Sequence, residues 1–234
     1  MISASMKNIA KSFGSNAVLT DVTFETNEGE IFGMLGSSGA GKTTIINILT
    51  KQLKADGGEC FVDADSREIG LMLADDGMFA GLSALDNLIV YEDIYGIKRR
   101  RTLEVLEQVG LSDAKKTAAN RLSRGMLQRL VLARAVLHKP KILFLDEPTS
   151  ALDPVTARGI HQLIRDLRSQ GSTVFLTTHN MEEATNLCDR VVMLHKGTII
   201  EQGEPKEICK RHNAVKTVDD LESVFIKLTG GGLE

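Results

Sequence analysis

Short apolar runs alternate with amphipathic segments along most of the chain. Apolar runs rich in β-branched residues predict buried strands, and apolar residues at helical spacing predict helices. The predicted strands are residues 18–24, 31–35, 59–62, 69–73, 142–145 and 173–177, with a hairpin of 190–194 and 198–202. The predicted helices are residues 44–49, 101–109, 124–138, 153–170 and 181–187, with a capped helix starting at Ser83 and two short helices closing the chain. Short strands interleaved with helices indicate an α/β fold, with helices on both faces of a mostly parallel sheet.

Residues 36–44, GSSGAGKTT, lie between a predicted strand and a predicted helix and match the phosphate-binding loop G-x-x-x-x-G-K-[ST]. The glycines let the backbone curl so that successive N–H groups face the phosphates of a nucleotide, and the following helix adds its positive amino end. Lys42 is expected to reach the β- and γ-phosphates, and the Thr43 hydroxyl is expected to ligate Mg²⁺. The residues predicted to bind ATP in this loop are Gly36, Ser37, Ser38, Gly39, Ala40, Gly41, Lys42, Thr43 and Thr44. A flexible linker would lack the lysine and the flanking strand and helix.

The composition is that of an ordinary globular protein, with 42% hydrophobic and 25% charged residues in 234. A net charge of −3 does not indicate binding to nucleic acid. We interpret the basic run 98–101 as the solvent-exposed start of a helix. Three cysteines without a C-x-x-C pair indicate reduced thiols in a cytoplasmic protein. No stretch approaches the roughly 20 apolar residues of a membrane span, so a membrane process would need another chain to cross the bilayer.

The stretch 142–147, ILFLDE, is an apolar strand that ends in two carboxylates. An acid at the carboxyl end of a parallel strand belongs at the same sheet edge as a phosphate loop. We predict that Asp146 holds Mg²⁺, directly or through water, and that Glu147 polarises the attacking water. Neighbouring residues on a strand point in opposite directions, which allows the two carboxylates to divide these tasks.

Five stretches, in order, make the chain resemble the ATPase subunit of ATP-binding-cassette (ABC) transporters. They are the phosphate loop at 36–44, LSRGM at 122–126, ILFLDEP at 142–148, SALD at 150–153 and Thr178-His179. The LSxG-type stretch is what separates this family from other phosphate-loop ATPases. The resemblance implies a fold with a phosphate-loop NTPase core, an N-terminal antiparallel β region and an inserted α-helical subdomain.

The domain boundaries follow from the same resemblance and from the change of pattern along the chain. Residues 83–116 have a helical pattern without a strand-like run, which fits the inserted subdomain. We expect residues 1–234 to form a single nucleotide-binding domain. Its expected parts are a core of about 1–75 and 140–205, a helical subdomain of about 76–139, and a short helical tail of 206–234.

The resemblance also implies that ATP is sandwiched between two head-to-tail subunits, the second being another copy of this chain or a related ATPase. Ser123 and Gly125 are expected to face the γ-phosphate held by the partner, with the amino end of their helix directed at that anion. Asp153 is expected in the loop that crosses this interface. A simpler interpretation is that Asp153 caps the helix that begins at Pro154, and the two roles are compatible.

Three further side chains receive roles from the resemblance. His179 follows a predicted strand and is expected to hydrogen-bond the γ-phosphate, with a buried structural histidine as the alternative. Phe13 matches the position at which the family stacks an aromatic ring on adenine, and Val18 is expected to line the same ring. A packing role for Phe13 is the competing interpretation.

The sequence departs from the family pattern at two places. The usual LSGGQ signature is LSRGM here, with Arg124 and Met126 in place of glycine and glutamine, a variant that resembles those of drug and peptide-antibiotic exporters. The position at which the family has a metal-contacting glutamine is Ala74, and Asp75 follows it. Since alanine cannot ligate a metal, our hypothesis is that Asp75 supplies an oxygen to Mg²⁺. The alternative is that Asp75 is a solvated loop residue.

Together these residues predict an ATP-hydrolysing subunit, with ATP and Mg²⁺ as cofactors, on the cytoplasmic face of the cell membrane. It is expected to power a separate integral membrane permease, and the variant signature favours export of a drug, peptide antibiotic or similar compound. A soluble ABC ATPase, such as an iron–sulfur assembly component, is the alternative because it too is a single cassette. A phosphate-loop GTPase or kinase is disfavoured, since the chain has no N-K-x-D motif and a kinase would have no use for LSRGM.

Overall fold

The computed structural model describes residues 1–73, 77–212 and 221–230. The strands are β1 Ile2–Phe13, β2 Asn16–Asn27, β3 Ile31–Leu35, β4 Gly57–Val62, β5 Ile69–Met72, β6 Ile142–Asp146, β7 Thr173–Thr178, β8 Arg190–His195 and β9 Thr198–Gly203. The helices are α1 Lys42–Leu49, α2 Ala84–Tyr95, α3 Arg99–Gln108, α4 Arg124–Val136, α5 Pro154–Ser169, α6 Met181–Leu187, α7 Pro205–Arg211 and α8 Leu221–Leu228. None of the helices in this described part of the chain is both long and apolar enough to cross a membrane.

The chain forms two compact units, one of residues 1–63 and 173–234 and the other of residues 64–172. In the first unit, β2, β1 and β4 form an antiparallel sheet in that order. A second row of strands has the order β7-β3-β8-β9, in which β7, β3 and β8 are parallel and β9 is antiparallel at the edge. The predicted α/β class, with a mostly parallel sheet and an antiparallel β region from the N-terminal strands, is confirmed.

The core of the first unit is built around β3, in which all five residues are buried. A strand with parallel neighbours on both sides is covered on both faces, which explains its continuous apolar sequence. The rings of Phe24, Phe32 and Phe175 pack in this core with centroids 5.5–5.8 Å apart. Leu35 pairs with Thr178 of β7, so the segments that follow these two strands leave the sheet at the same edge.

The second unit contains the parallel pair β5 and β6, in register from Ile69 opposite Ile142 to Met72 opposite Leu145. Helix α4 approaches β5 closely at Gly70, where a Cβ atom would lie 2.3 Å from the Ala135 carbonyl oxygen. Only glycine allows the two backbones to come this near. Helices α2 to α5 supply the remainder of this unit.

Several predicted elements are confirmed residue by residue. The strand at 31–35 and the helix at 181–187 have the predicted bounds. The predicted hairpin of β8 and β9 turns at Lys196 and Gly197, whose φ angles of 45° and 79° are those that a type I′ turn requires. The N-terminal strands differ from the prediction: β2 is longer, and β1 is a long strand whose pairing with β2 contains several register shifts. Such irregular pairing blurs the alternation of polar and apolar residues from which strands are predicted.

Asn87 of α2 is a fully buried amide that organises the segment before its helix. Its Oδ1 accepts a hydrogen bond from the Phe79 N–H at 2.7 Å, and its Nδ2 donates to the carbonyls of Phe79, Leu82 and Ser83 at 3.0–3.1 Å. We expect Asn87→Leu to lower the free energy of unfolding by about 1–3 kcal/mol. The Phe79 N–H would lose this acceptor, and the three carbonyls would each lose one of their two donors. Urea unfolding measures the difference.

The matched control for this prediction is Asn16→Leu, which makes the same change at an exposed position of the first hairpin. That variant should unfold within about 0.5 kcal/mol of the wild type. An equal decrease in the free energy of unfolding of the two variants would show that the buried hydrogen bonds of Asn87 do not stabilise the fold.

Candidate functional site

The predicted phosphate loop joins β3 to α1 in the first unit. Gly39 and Gly41 have φ angles of 77° and 110°, in the left-handed region that favours glycine. Gly36 and Ala40 are buried at the base of the loop, whereas residues 37–39 are exposed. The loop is therefore packed on one side and open to a ligand on the other.

Lys42 is the first residue of α1, and its side chain folds back into the loop. The residue is only 6% exposed, and its Nζ donates hydrogen bonds to the Gly36 carbonyl at 2.7 Å and the Ser37 carbonyl at 3.2 Å. The first turn of α1 contains no acidic residue, and Thr43 is exposed there. A positive helix end with a lysine inside the preceding loop is suited to an anion with several phosphate groups.

One residue that the sequence did not single out as part of the site supports the phosphate loop. Gly197, in the β8–β9 turn, donates its N–H to the Ala40 carbonyl at 3.2 Å and accepts from the Thr20 N–H at 2.9 Å. A Cβ atom on Gly197 would lie 2.2 Å from the Val18 carbonyl oxygen, and one on Gly41 would lie 3.3 Å from the same oxygen. The Lys-Gly pair signalled the turn in the sequence, but the contact with the loop carries no sequence signal.

The other candidates of the first unit lie on two different elements. His179 is exposed directly after β7, at the sheet edge where Gly36 follows β3. Phe13 ends β1 and is 51% exposed, with the Lys11 Nζ 5.4 Å from the centroid of its ring. Val18 is half-buried on β2, beside the phosphate loop. The exposed ring of Phe13 is free to stack on a planar ligand.

In the second unit, Asp146 is the last residue of β6 and Glu147 follows it, both half-buried. Glu147 has a φ of 49°, a left-handed conformation that is uncommon for a residue with a side chain. Its carbonyl accepts hydrogen bonds from the Gln128 Nε2 at 2.8 Å and from the Ser150 N–H at 3.3 Å. The two predicted carboxylates are therefore adjacent, as the sequence requires, but the backbone turns sharply between them.

The signature stretch forms the start of α4 in the same unit. Ser123 caps the helix, since its hydroxyl accepts a hydrogen bond from the Met126 N–H at 3.2 Å, and the residue is exposed. A Cβ atom on Gly125 would lie 3.2 Å from the Ala151 carbonyl oxygen and 3.2 Å from the Leu152 Cδ2. Gly125 thus allows the loop after β6 to approach the first turn of α4.

Asp153 is confirmed as the cap of α5. Its Oδ1 accepts hydrogen bonds from the N–H groups of Val155 and Thr156 at 3.0 Å, and its Oδ2 accepts from the Thr156 hydroxyl at 2.6 Å. The Thr156 hydroxyl and these amides hold the pKa of the Asp153 carboxyl below its usual value. The neighbouring Val155 is 78% exposed, an apolar side chain beside a charged one on an open surface.

The donors predicted for Mg²⁺ fit that ion by chemical type. The Thr43 hydroxyl and the Asp146 carboxylate are hard oxygen ligands, and Mg²⁺ is commonly held by one or two protein ligands together with phosphates and water. Within the part of the chain that the structure describes, no group of three or more His, Cys, Asp and Glu residues could hold a metal alone. Asp75, the hypothetical third ligand, and Ala74 lie outside the described residues.

Known proteins resemble the chain over most of its length. The family model described as ABC transporter matches residues 19–150. A fluoroquinolones export ATP-binding protein of Mycobacterium tuberculosis is 38% identical over 222 residues, which cover 90% of this chain and 71% of the relative. A lantibiotic transport ATP-binding protein of Streptococcus pyogenes is 32% identical over 205 residues, covering 85% of this chain and 90% of the relative. A solved dimeric ATP-binding cassette in a post-hydrolysis state, bound to ADP and Pi, has a TM-score of 0.77 and 30% identity, covering 86% of this chain and 98% of that one.

Proposed function

Because the chain belongs to the ABC transporter family, we propose that it is the ATP-binding and ATP-hydrolysing subunit that powers a separate membrane permease. The relatives named for fluoroquinolone export and lantibiotic transport support export of a drug, a peptide antibiotic or a similar compound. In this assignment the chain binds at the cytoplasmic face of the membrane through that permease.

The observation that carries the proposal is the exposed, serine-capped amino end of α4 in a chain that also has a phosphate loop. The loop has its own helix end and its own lysine, so the signature turn around Ser123 and Gly125 is not needed to complete it. A second helix amino end that offers N–H groups to an anion is explained if it meets the ATP of a second subunit. Val155, exposed next to Asp153, supplies apolar surface for the same interface.

ATP binding by this chain rests on the residues of the first unit. The N–H groups of residues 36–44 and the Lys42 ammonium would hold the phosphates, and Phe13 would stack on the adenine. His179, exposed after β7, would donate a hydrogen bond to the γ-phosphate. Val18 would bound the base-binding surface. These groups position the nucleotide, which is the larger part of catalysis in phosphoryl transfer.

Hydrolysis requires a group that takes a proton from water, and Glu147 is the candidate for this role. Thr43 and Asp146 would hold Mg²⁺, which, when bound, neutralises the negative charge that develops on the phosphates. The Lys42 ammonium would share that task from inside the loop. Closure of the dimer would bring the partner's signature turn to the γ-phosphate. Hydrolysis would then allow the dimer to reopen. The resulting motion would be passed to the permease.

The test captures the partner with a variant that binds ATP but does not hydrolyse it. Tagged Glu147→Gln chain is loaded with ATP and Mg²⁺, recovered from detergent-solubilised membranes of its own cell, and its companions are identified by mass spectrometry. We expect a protein with several membrane spans. The same recovery with ADP in place of ATP is the control, because a complex that depends on the closed dimer should be weaker there.

Two outcomes would contradict the proposal. A soluble companion that replaces the membrane protein would favour a soluble ABC ATPase, such as one that serves iron–sulfur assembly. Recovery of the chain alone with both nucleotides would indicate that it does not act with a permease.

The oligomeric state of the Glu147→Gln chain, measured by light scattering, should change from monomer to dimer on addition of ATP.

A further inference from the structure

One face of α4 packs against the loop that carries Glu147. Gly125 and Gln128 are three residues apart on this helix and therefore share a face. Gly125 lies against the backbone of Ala151 and the side chain of Leu152. Gln128 reaches the start of the same loop, where its Nε2 donates a 2.8 Å hydrogen bond to the Glu147 carbonyl. Helix α4, which begins with the signature, thus contacts both ends of the loop that follows β6.

The backbone that Gln128 contacts is in an unfavourable conformation. Glu147 has a φ of 49°, and a left-handed conformation costs a residue with a side chain roughly 1–2 kcal/mol. The residue that follows is Pro148, and proline further restricts the backbone of the residue before it. Such a conformation persists only where its surroundings hold it. The hydrogen bonds from Gln128 and from the Ser150 N–H to the Glu147 carbonyl are two of the restraints that the structure provides.

We propose that Gln128 is a positioning residue for ATP hydrolysis, which fixes the left-handed backbone of Glu147 so that the carboxylate is presented to the attacking water. The inference rests on the proposed function, in which Glu147 activates that water. Ser123 and Gly125, which are expected to meet the partner's ATP, lie on the same helix as Gln128. Helix α4 would therefore couple binding of the partner's nucleotide to the alignment of Glu147, the general base.

The hydrogen bonding of Gln128 separates this role from a purely structural one. Its Oε1 is buried and has no hydrogen-bond partner among the described residues, so the amide uses only its donor. An acceptor left unsatisfied in this way costs stability. A methionine of similar size would remove this acceptor, and the Glu147 carbonyl would keep its hydrogen bond from the Ser150 N–H. A Gln128→Met variant should therefore be about as stable as the wild type. A loss of turnover without a loss of stability would belong to the positioning role.

The experiment measures ATP turnover and stability of Gln128→Met in the full chain. We expect kcat to fall roughly 10- to 100-fold, the scale of a small misplacement of a reacting group, while KM for ATP stays within about twofold. The urea midpoint should not decrease. The matched control is Gln162→Met on α5, an exposed residue whose Nε2 donates to the Asp166 carboxylate at 2.8 Å, and it should retain wild-type kcat.

A double variant decides whether Gln128 acts through Glu147. If it does, adding Gln128→Met to Glu147→Gln should leave the residual turnover of the single variant unchanged, since the group being positioned is already disabled. Losses that multiply would overturn the inference, as would a normal kcat in Gln128→Met. In either case a slow Glu147→Gln chain would keep the proposed function intact, whereas a normal rate in Glu147→Gln would overturn the function itself.

Discussion

Replacing Glu147 by glutamine should slow ATP hydrolysis by at least roughly 10²-fold while ATP binding persists. Glutamine keeps the length and shape of the side chain but cannot take a proton from water. Residue 147 directly follows β6, whereas the phosphate loop comprises residues 36–44, so the groups that hold the phosphates are unchanged. Single-turnover hydrolysis of labelled ATP gives the rate, and calorimetric titration with ATP and Mg²⁺ gives the affinity.

The control for this variant is Glu107→Gln, which removes the same charge from an exposed position of α3. Its turnover should match that of the wild type, which excludes an effect of net charge. A Glu147→Gln chain that hydrolyses ATP within a few-fold of the wild-type rate would remove Glu147 from the catalytic role. A chain that no longer binds ATP would show instead that the carboxylate is needed for the ground-state complex.

The elements that the sequence predicts best are short, buried and bounded by strong signals. Strand β3 is a continuous apolar run that ends at the phosphate-loop glycines, and its predicted and observed bounds agree. Helix α5 begins at an Asp-Pro pair and ends before Gly171, whose φ is 99°. Capping residues and glycine stops act locally, so that their effect can be read without knowledge of the tertiary fold. No bounds are predicted for β1, whose irregular pairing depends on β2 and β4.

The residue types of the candidate site were predictable from motifs, but the geometry that connects them was not. The spacing of the phosphate loop gave Gly36, Lys42 and Thr43 without any structure. The left-handed backbone of Glu147 could not be anticipated, since a glutamate before a proline is expected in an extended conformation. The support from Gln128 depends on how α4 packs, which brings together residues 19 positions apart. Packing of this kind leaves no pattern in a single sequence.

Truncating Lys42 to alanine should weaken ATP binding roughly 10- to 100-fold. Hydrogen bonds to charged groups contribute about 1.5–3 kcal/mol, and each 1.4 kcal/mol is about tenfold in affinity. The Lys42 ammonium already lies inside the loop, where it donates to the carbonyls of Gly36 and Ser37. The position of the ammonium is therefore set before ATP binds, so that little side-chain freedom is lost when it contacts the phosphates. Calorimetric titration with ATP and Mg²⁺ measures the change in Kd.

The internal hydrogen bonds of Lys42 make a folding control necessary. Lys54→Ala removes one positive charge from an exposed position in the same unit and should bind ATP as the wild type does. Urea unfolding of Lys42→Ala shows whether the loop residues lose stability together with affinity. Lys42→Arg retains the charge but places a planar fork where a compact ammonium fits, so it should also bind ATP weakly. Wild-type affinity in both Lys42 variants would mean that the backbone N–H groups and the amino end of α1 hold the phosphates without the lysine.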